Sequence, residues 1–98
     1  MTLDDAVIAL REHEAELRAR GVRRAAIFGS VARNESRAGS DVDVLVELDP
    51  ESALDVFSYA ALKQYIAGLF TVEVDVVNRA ALKPQLRGPA DRDAVYAF

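Results

Sequence analysis

The chain contains no cysteine, so neither a disulfide framework nor a thiolate metal site is available to it. Histidine is almost as scarce. His13 stands alone between Glu12 and Glu14, and with no second nitrogen ligand a His-rich metal centre is excluded; the residue reads as a solvated helix position. Long apolar runs and a basic leader are also missing. The opening MTLDDAVIALREHEAEL is acidic and amphipathic, which argues against a signal peptide or a membrane span and leaves the cytoplasm as the expected compartment. No internal repeat, low-complexity tract or linker interrupts the chain. Finally, no basic residue falls between Arg37 and Lys63, whereas Asp41, Asp43, Glu47, Asp49, Glu51 and Asp55 all do. A face of that composition repels a nucleic-acid backbone and attracts cations.

What is present describes one folded unit, residues 1–98. With 51% hydrophobic and 29% charged residues, the composition is globular, and a chain of 98 residues buries about two-thirds of its unfolded surface. The net charge is −4, and the arginines gather early, at Arg11, Arg18, Arg20, Arg23, Arg24, Arg33 and Arg37. Thr2 and Asp5 have capping-box spacing ahead of Leu3, Val7, Leu10 and Leu17, predicting one helix that Gly21 closes. Val22 to Phe28 reads as a strand, Ser30 to Arg33 as a short helix and Asn34 to Ser40 as a polar loop. A second strand, Asp41 to Leu48, ends at Asp49-Pro50. Ser52 and Asp55 open a long helix with Leu54, Phe57, Ala61, Leu62, Ile66 and Leu69 on its inner face. Thr71 to Val77 gives a third strand. A helical turn over Ala80 to Lys83 is then disturbed by Pro84, Gly88-Pro89 breaks the chain again, and Ala90 to Ala97 reads as a terminal helical segment. This order predicts an α/β (α+β) fold, a mixed three- to four-stranded sheet packed against helices.

The chemistry concentrates in AIFGSVARNESRAGSDVDVLV, Ala26 to Val46. Alternation along a strand puts Asp41 and Asp43 on one face and Val42, Val44 and Val46 on the other. Two carboxylates about 7 Å apart repel by about 2 kcal/mol at an effective dielectric near 20, an expense a divalent cation removes. Mg²⁺ suits such a site because it takes one or two carboxylates and leaves its other positions to water and phosphate oxygens. Gly29 supplies a sharp turn and lets another group approach the backbone, and Ser30 follows where exposed amides favour a phosphate. Each piece alone is ordinary: Gly-Ser is a common turn, and Asp-x-Asp is usually a solvated strand start. Their order carries the signal, together with Asp75, a lone acid in the Val-rich third strand. Glu73 is the weaker acid, nearer the strand start.

The GS-x-A-R segment, the Ser-Asp-x-Asp strand and the later single Asp resemble the minimal nucleotidyltransferases of the polymerase β-like superfamily, over nearly the whole chain and including Ala81-Leu82-Lys83-Pro84. One departure is Asn34, where such proteins often carry Gly; Asn tolerates the left-handed backbone best among other residues, so the turn is expected to survive. The resemblance implies a mixed sheet that brings Asp41, Asp43 and Asp75 together as catalytic and metal-binding residues, with Gly29, Ser30 and Arg33 against the nucleotide. It implies ATP as substrate and two Mg²⁺ ions, Asp75 serving as a ligand or as the proton acceptor. It further implies a partner, because 98 residues leave no room for an acceptor-holding domain: a HEPN-domain ribonuclease toxin, neutralised by transfer of AMP to a tyrosine. A binding-only antitoxin and an isolated nucleotide-binding regulatory module are the alternatives.

Overall fold

The computed structural model describes residues 1–35 and 41–98. The chain runs α1 (Leu3–Arg11), α2 (Glu14–Ala19), β1 (Val22–Phe28), α3 (Gly29–Ala32), β2 (Val42–Leu48), α4 (Val56–Ala67), β3 (Val74–Asn78), α5 (Pro84–Asp93) and β4 (Val95–Tyr96), with 3₁₀ turns at Pro50–Ser52 and Arg79–Ala81. The four strands form one mixed sheet in the order β3-β2-β1-β4. β1 is antiparallel to β2 and to β4, whereas β2 and β3 are parallel, joined by the crossover through α4. Among the described residues, no helix is long and apolar enough to cross a membrane.

Period-two alternation in β2 sorts its side chains between two layers. Val42, Val44 and Val46 are fully buried in the main core with Val7 and Leu10 of α1, Leu17 of α2, and Leu62 and Ile66 of α4. The opposite face carries Asp43 and the buried Leu45, and α5 covers part of it through Ala90. One side of the sheet is therefore a complete core, and the other is half-covered. The cleft that remains there holds the acids.

Several boundaries differ from the sequence expectation. The first helix is two: the Thr2 capping box forms, but the chain breaks at Glu12 and His13. His13 lies at the N-cap of α2, where Nδ1 donates to the Ala9 carbonyl at 2.8 Å, and its ring meets Tyr65 edge-on at 6.2 Å; it is half-buried rather than solvated. β2 begins at Val42, leaving Asp41 just ahead of it, and β3 begins at Val74. Asp55, not Ser52, caps α4, accepting from the Ser58 amide at 2.7 Å. Phe57 is 85% exposed and Ala61 is exposed as well. At about 100° per residue, Phe57 lies some 140° around the helix from the buried Leu62, so it faces away from the core.

The C-terminal third differs most. Pro84 starts α5 instead of disturbing a helix, because the first helical position needs no N–H and favours the fixed proline φ. The same helix continues through Gly88 and Pro89. Pro89 removes one hydrogen bond, but Ala90 is buried and Arg79 grips Asp91 bidentately at 2.9 and 2.7 Å, which holds the helix in place. Residues 95–96 form a strand, not a helix, since the free edge of β1 requires partners: Ala26 pairs with Tyr96 and Ile27 with Val95.

Candidate active site

The parallel register of β2 and β3 sets Asp43 beside Asp75. Neighbouring strands lie about 4.8 Å apart, so these carboxylates are closer together than the two in Asp-x-Asp. Antiparallel pairing then sets Phe28, the last residue of β1, opposite Asp43, so the Gly29 turn closes over the same spot. Gly29 has φ +73°, and a Cβ there would overlap Asp43 Oδ2 and come within 3.2 Å of Cγ. Both the left-handed backbone and the close approach require glycine. The group that approaches is the Asp43 carboxylate, a role the sequence had left to a ligand.

Phe28, Gly29, Arg33, Asp43 and Asp75 line one side of a cleft of about 320 Å³, and Leu82, Leu86, Pro89, Ala90 and Asp93 line the other. Of the residues marked in the sequence, four meet here. Ser30 follows Gly29 but is not among the lining residues. Asp41 is exposed ahead of β2, yet its charge reaches Asp43. Arg37 and Ser40 lie outside the described residues. Asn34 adopts φ 58°, the left-handed conformation expected of it. Larger depressions, about 410 Å³ around Arg23, Asp49 and Arg79 and about 470 Å³ around Arg20, Asp49 and Ser58, lie near the far end of β2. Chemistry rather than size selects the smaller one, because Asp43 and Asp75 open into it.

Burial first, then the charges of Asp75 and Asp41, push the Asp43 carboxyl above its ordinary range, while Arg33 opposes the shift. Such a group is costly to keep ionised unless a cation accompanies it. Among the described residues, no three His, Asp or Glu side chains converge into a closed metal cage. Two adjacent carboxylates opening into a cleft fit a hard cation that takes its other oxygens from water and a substrate phosphate. Arg33 donates through Nε to Glu35 Oε2 at 3.0 Å and through Nη1 to Asp93 Oδ2 at 2.5 Å, and these partners raise its pKa further.

Sequence reasoning missed Asp93 and the apolar wall of α5. Only Pro84, read as a helix's first residue, signalled that the Leu-Lys-Pro segment leads into an element able to cover the sheet.

Residues 10–95 match the model of the nucleotidyltransferase domain family. A protein adenylyltransferase, MntA, of Thermococcus cleftensis is 35% identical over 97 residues, covering 98% of this chain and 96% of that one. A solved structure of a minimal nucleotidyltransferase superposes with a TM-score of 0.76 at 38% identity, covering 97% of this chain and 95% of the other. A further structure, of tri-AMPylated Shewanella oneidensis HEPN toxin in complex with MNT antitoxin, shares the fold at a TM-score of 0.63 and 19% identity, covering 90% and 68%.

Proposed function

The chain belongs to the nucleotidyltransferase family, as a minimal member, and from that premise we propose that it transfers AMP from ATP to a tyrosine hydroxyl of a HEPN-domain toxin and so acts as its antitoxin. The observation that carries the reading is the cross-strand pairing of Asp43 with Asp75, both lining a cleft where Gly29 leaves room for the Asp43 carboxylate. Purely binding proteins have no need to hold two carboxylates side by side against their mutual repulsion. The adenylyl donor is supported by the MntA relative, whose name states protein adenylyltransferase, and the partner by the fold shared with the MNT antitoxin of the toxin complex.

In this reading Asp41 and Asp43 would hold the Mg²⁺ that accompanies ATP, Asp75 would serve as a further ligand or as the proton acceptor, and Gly29, Ser30 and Arg33 would bind the phosphates. Bound Mg²⁺ neutralises phosphate charge and polarises the acceptor oxygen. The residues align the triphosphate so that the acceptor hydroxyl stands in line with the bond about to break. Its oxygen attacks the α-phosphorus, the bond from that phosphorus to the bridging oxygen of the β-phosphate breaks, and pyrophosphate departs. The hydroxyl proton passes to Asp75, exposed at the cleft, or to water where Asp75 is a ligand. Alignment and fixed charge supply most of the acceleration.

Titration calorimetry tests the donor site. MgATP binds, EDTA abolishes the heat, and Asp41→Ala and Ser30→Ala each weaken it, with GTP and CTP compared in the same series. Equal binding with and without metal, or no binding, contradicts the assignment.

A further inference from the structure

Arg33 and Asp93 come from opposite walls of the cleft. Arg33 follows α3, Asp93 ends α5 immediately before β4, and 60 residues separate them. Their contact is a short charge-assisted hydrogen bond, Nη1 to Oδ2 at 2.5 Å, that ties the end of α5 to the residue after α3; Glu35 accepts from Nε of the same guanidinium at 3.0 Å. The Arg33 side chain is nevertheless 44% exposed, and its charge still reaches Asp43. Among the described residues, Arg33 is the one basic side chain lining a cleft that also contains Asp43, Asp75 and Asp93. Of the described residues, a triphosphate entering there meets three acids and one base already engaged.

Resting on the proposed function, we propose that Asp93 is a positioning residue: it pairs with Arg33 before the nucleotide binds and yields it to the triphosphate on binding. An exposed ion pair of this kind is worth a factor of about five at most, so it is readily exchanged. A guanidinium offers five N–H donors in a planar fork that matches phosphate oxygens, and a polyphosphate presents several negative charges where Asp93 presents one. Asp93 thus competes with the nucleotide for one cation, and entry of the nucleotide unfastens α5 from α3.

A double-mutant cycle on Arg33 and Asp93, read by MgATP calorimetry, tests the exchange. Asp93→Asn tightens MgATP binding by about threefold, because Arg33 no longer has to be taken from its partner. In the Arg33→Gln background the same substitution changes nothing, and Asp93→Glu, which keeps the pair, binds as the parent does. Melting curves establish that each variant is folded. Equal tightening in both backgrounds means that Asp93 acts only as one more negative charge, and unchanged or weakened binding in Asp93→Asn removes the competition; either result overturns the inference while leaving the nucleotide site intact. Failure of the parent itself to bind MgATP overturns the proposed function and this inference with it.

Discussion

At the scale of single residues, the site stands on the conflict around Asp43. Its carboxyl is half-buried, faces Asp75 across the strand pair, and has its pKa raised by burial and by both neighbouring acids. A carboxyl held above its unfolded value binds its proton more tightly in the native state. Its contribution is therefore favourable at low pH, and stability falls as the pH rises from the ordinary carboxylate value through the raised one. At neutral pH, without metal, the ionised group destabilises the fold. Asp43→Asn in EDTA is accordingly expected to melt above the parent at pH 7. With the repulsion halved for solvent screening, the gain is about 1 kcal/mol, or about 4–8 °C for a chain of this size. Differential scanning calorimetry should show the gain shrinking toward pH 4. A variant that melts well below the parent at pH 7 would make Asp43 structural. That Asp43, Asp75 and Gly29 would come together was legible in the sequence, because acids inside Val-rich strands and a glycine at a strand end break local rules, whereas Asp41, read as a strand residue, lies exposed ahead of β2 and outside the cleft lining. Asp93 broke none, and its role depends on contact with a residue 60 positions away.

At the scale of elements, alternation and capping were readable wherever the signal was local. Thr2 and Asp5 form their capping box, Val22–Phe28 is the first strand, and the valines of β2 fill the core. Where tertiary contacts decided, the sequence misled. β4 is two residues long and exists because β1 has an open edge, and Phe57 shares the hydrophobic character of the α4 core positions but not their phase. α5 is the clearest case. Gly88-Pro89 looks like a break, yet the helix persists under the Arg79–Asp91 and Arg33–Asp93 ion pairs. If external contacts hold α5 despite its poor intrinsic propensity, restoring that propensity should stabilise it. Among the described residues, a Cβ on Gly88 would meet Arg92 Nη1 at 3.7 Å, ordinary contact distance. Gly88→Ala is expected to gain about 0.5–1 kcal/mol and to raise the melting temperature by a few degrees, as thermal denaturation followed by circular dichroism would show. Unchanged or reduced stability would mean that α5 needs its flexibility to seat on the sheet.

At the scale of the whole molecule, one face of the sheet is sealed by α1, α2 and α4, while the other presents acids in a cleft only partly walled by α5. The acceptor proposed for that cleft is a tyrosine hydroxyl of another protein. Attachment of AMP to a tyrosine near a ribonuclease site would add charge and bulk where RNA phosphates must enter, and inhibition would outlast the complex. The decisive measurement mixes the proposed HEPN-domain partner with this protein and MgATP, separates the chains and determines the partner's intact mass. The account predicts one or more added adenylyl masses on the partner, absent when Asp43→Ala replaces the parent, with protection of growing cells lost in the same variant. Full protection by Asp43→Ala with the partner's mass unchanged would show neutralisation by binding alone and contradict a catalytic role for the carboxylates.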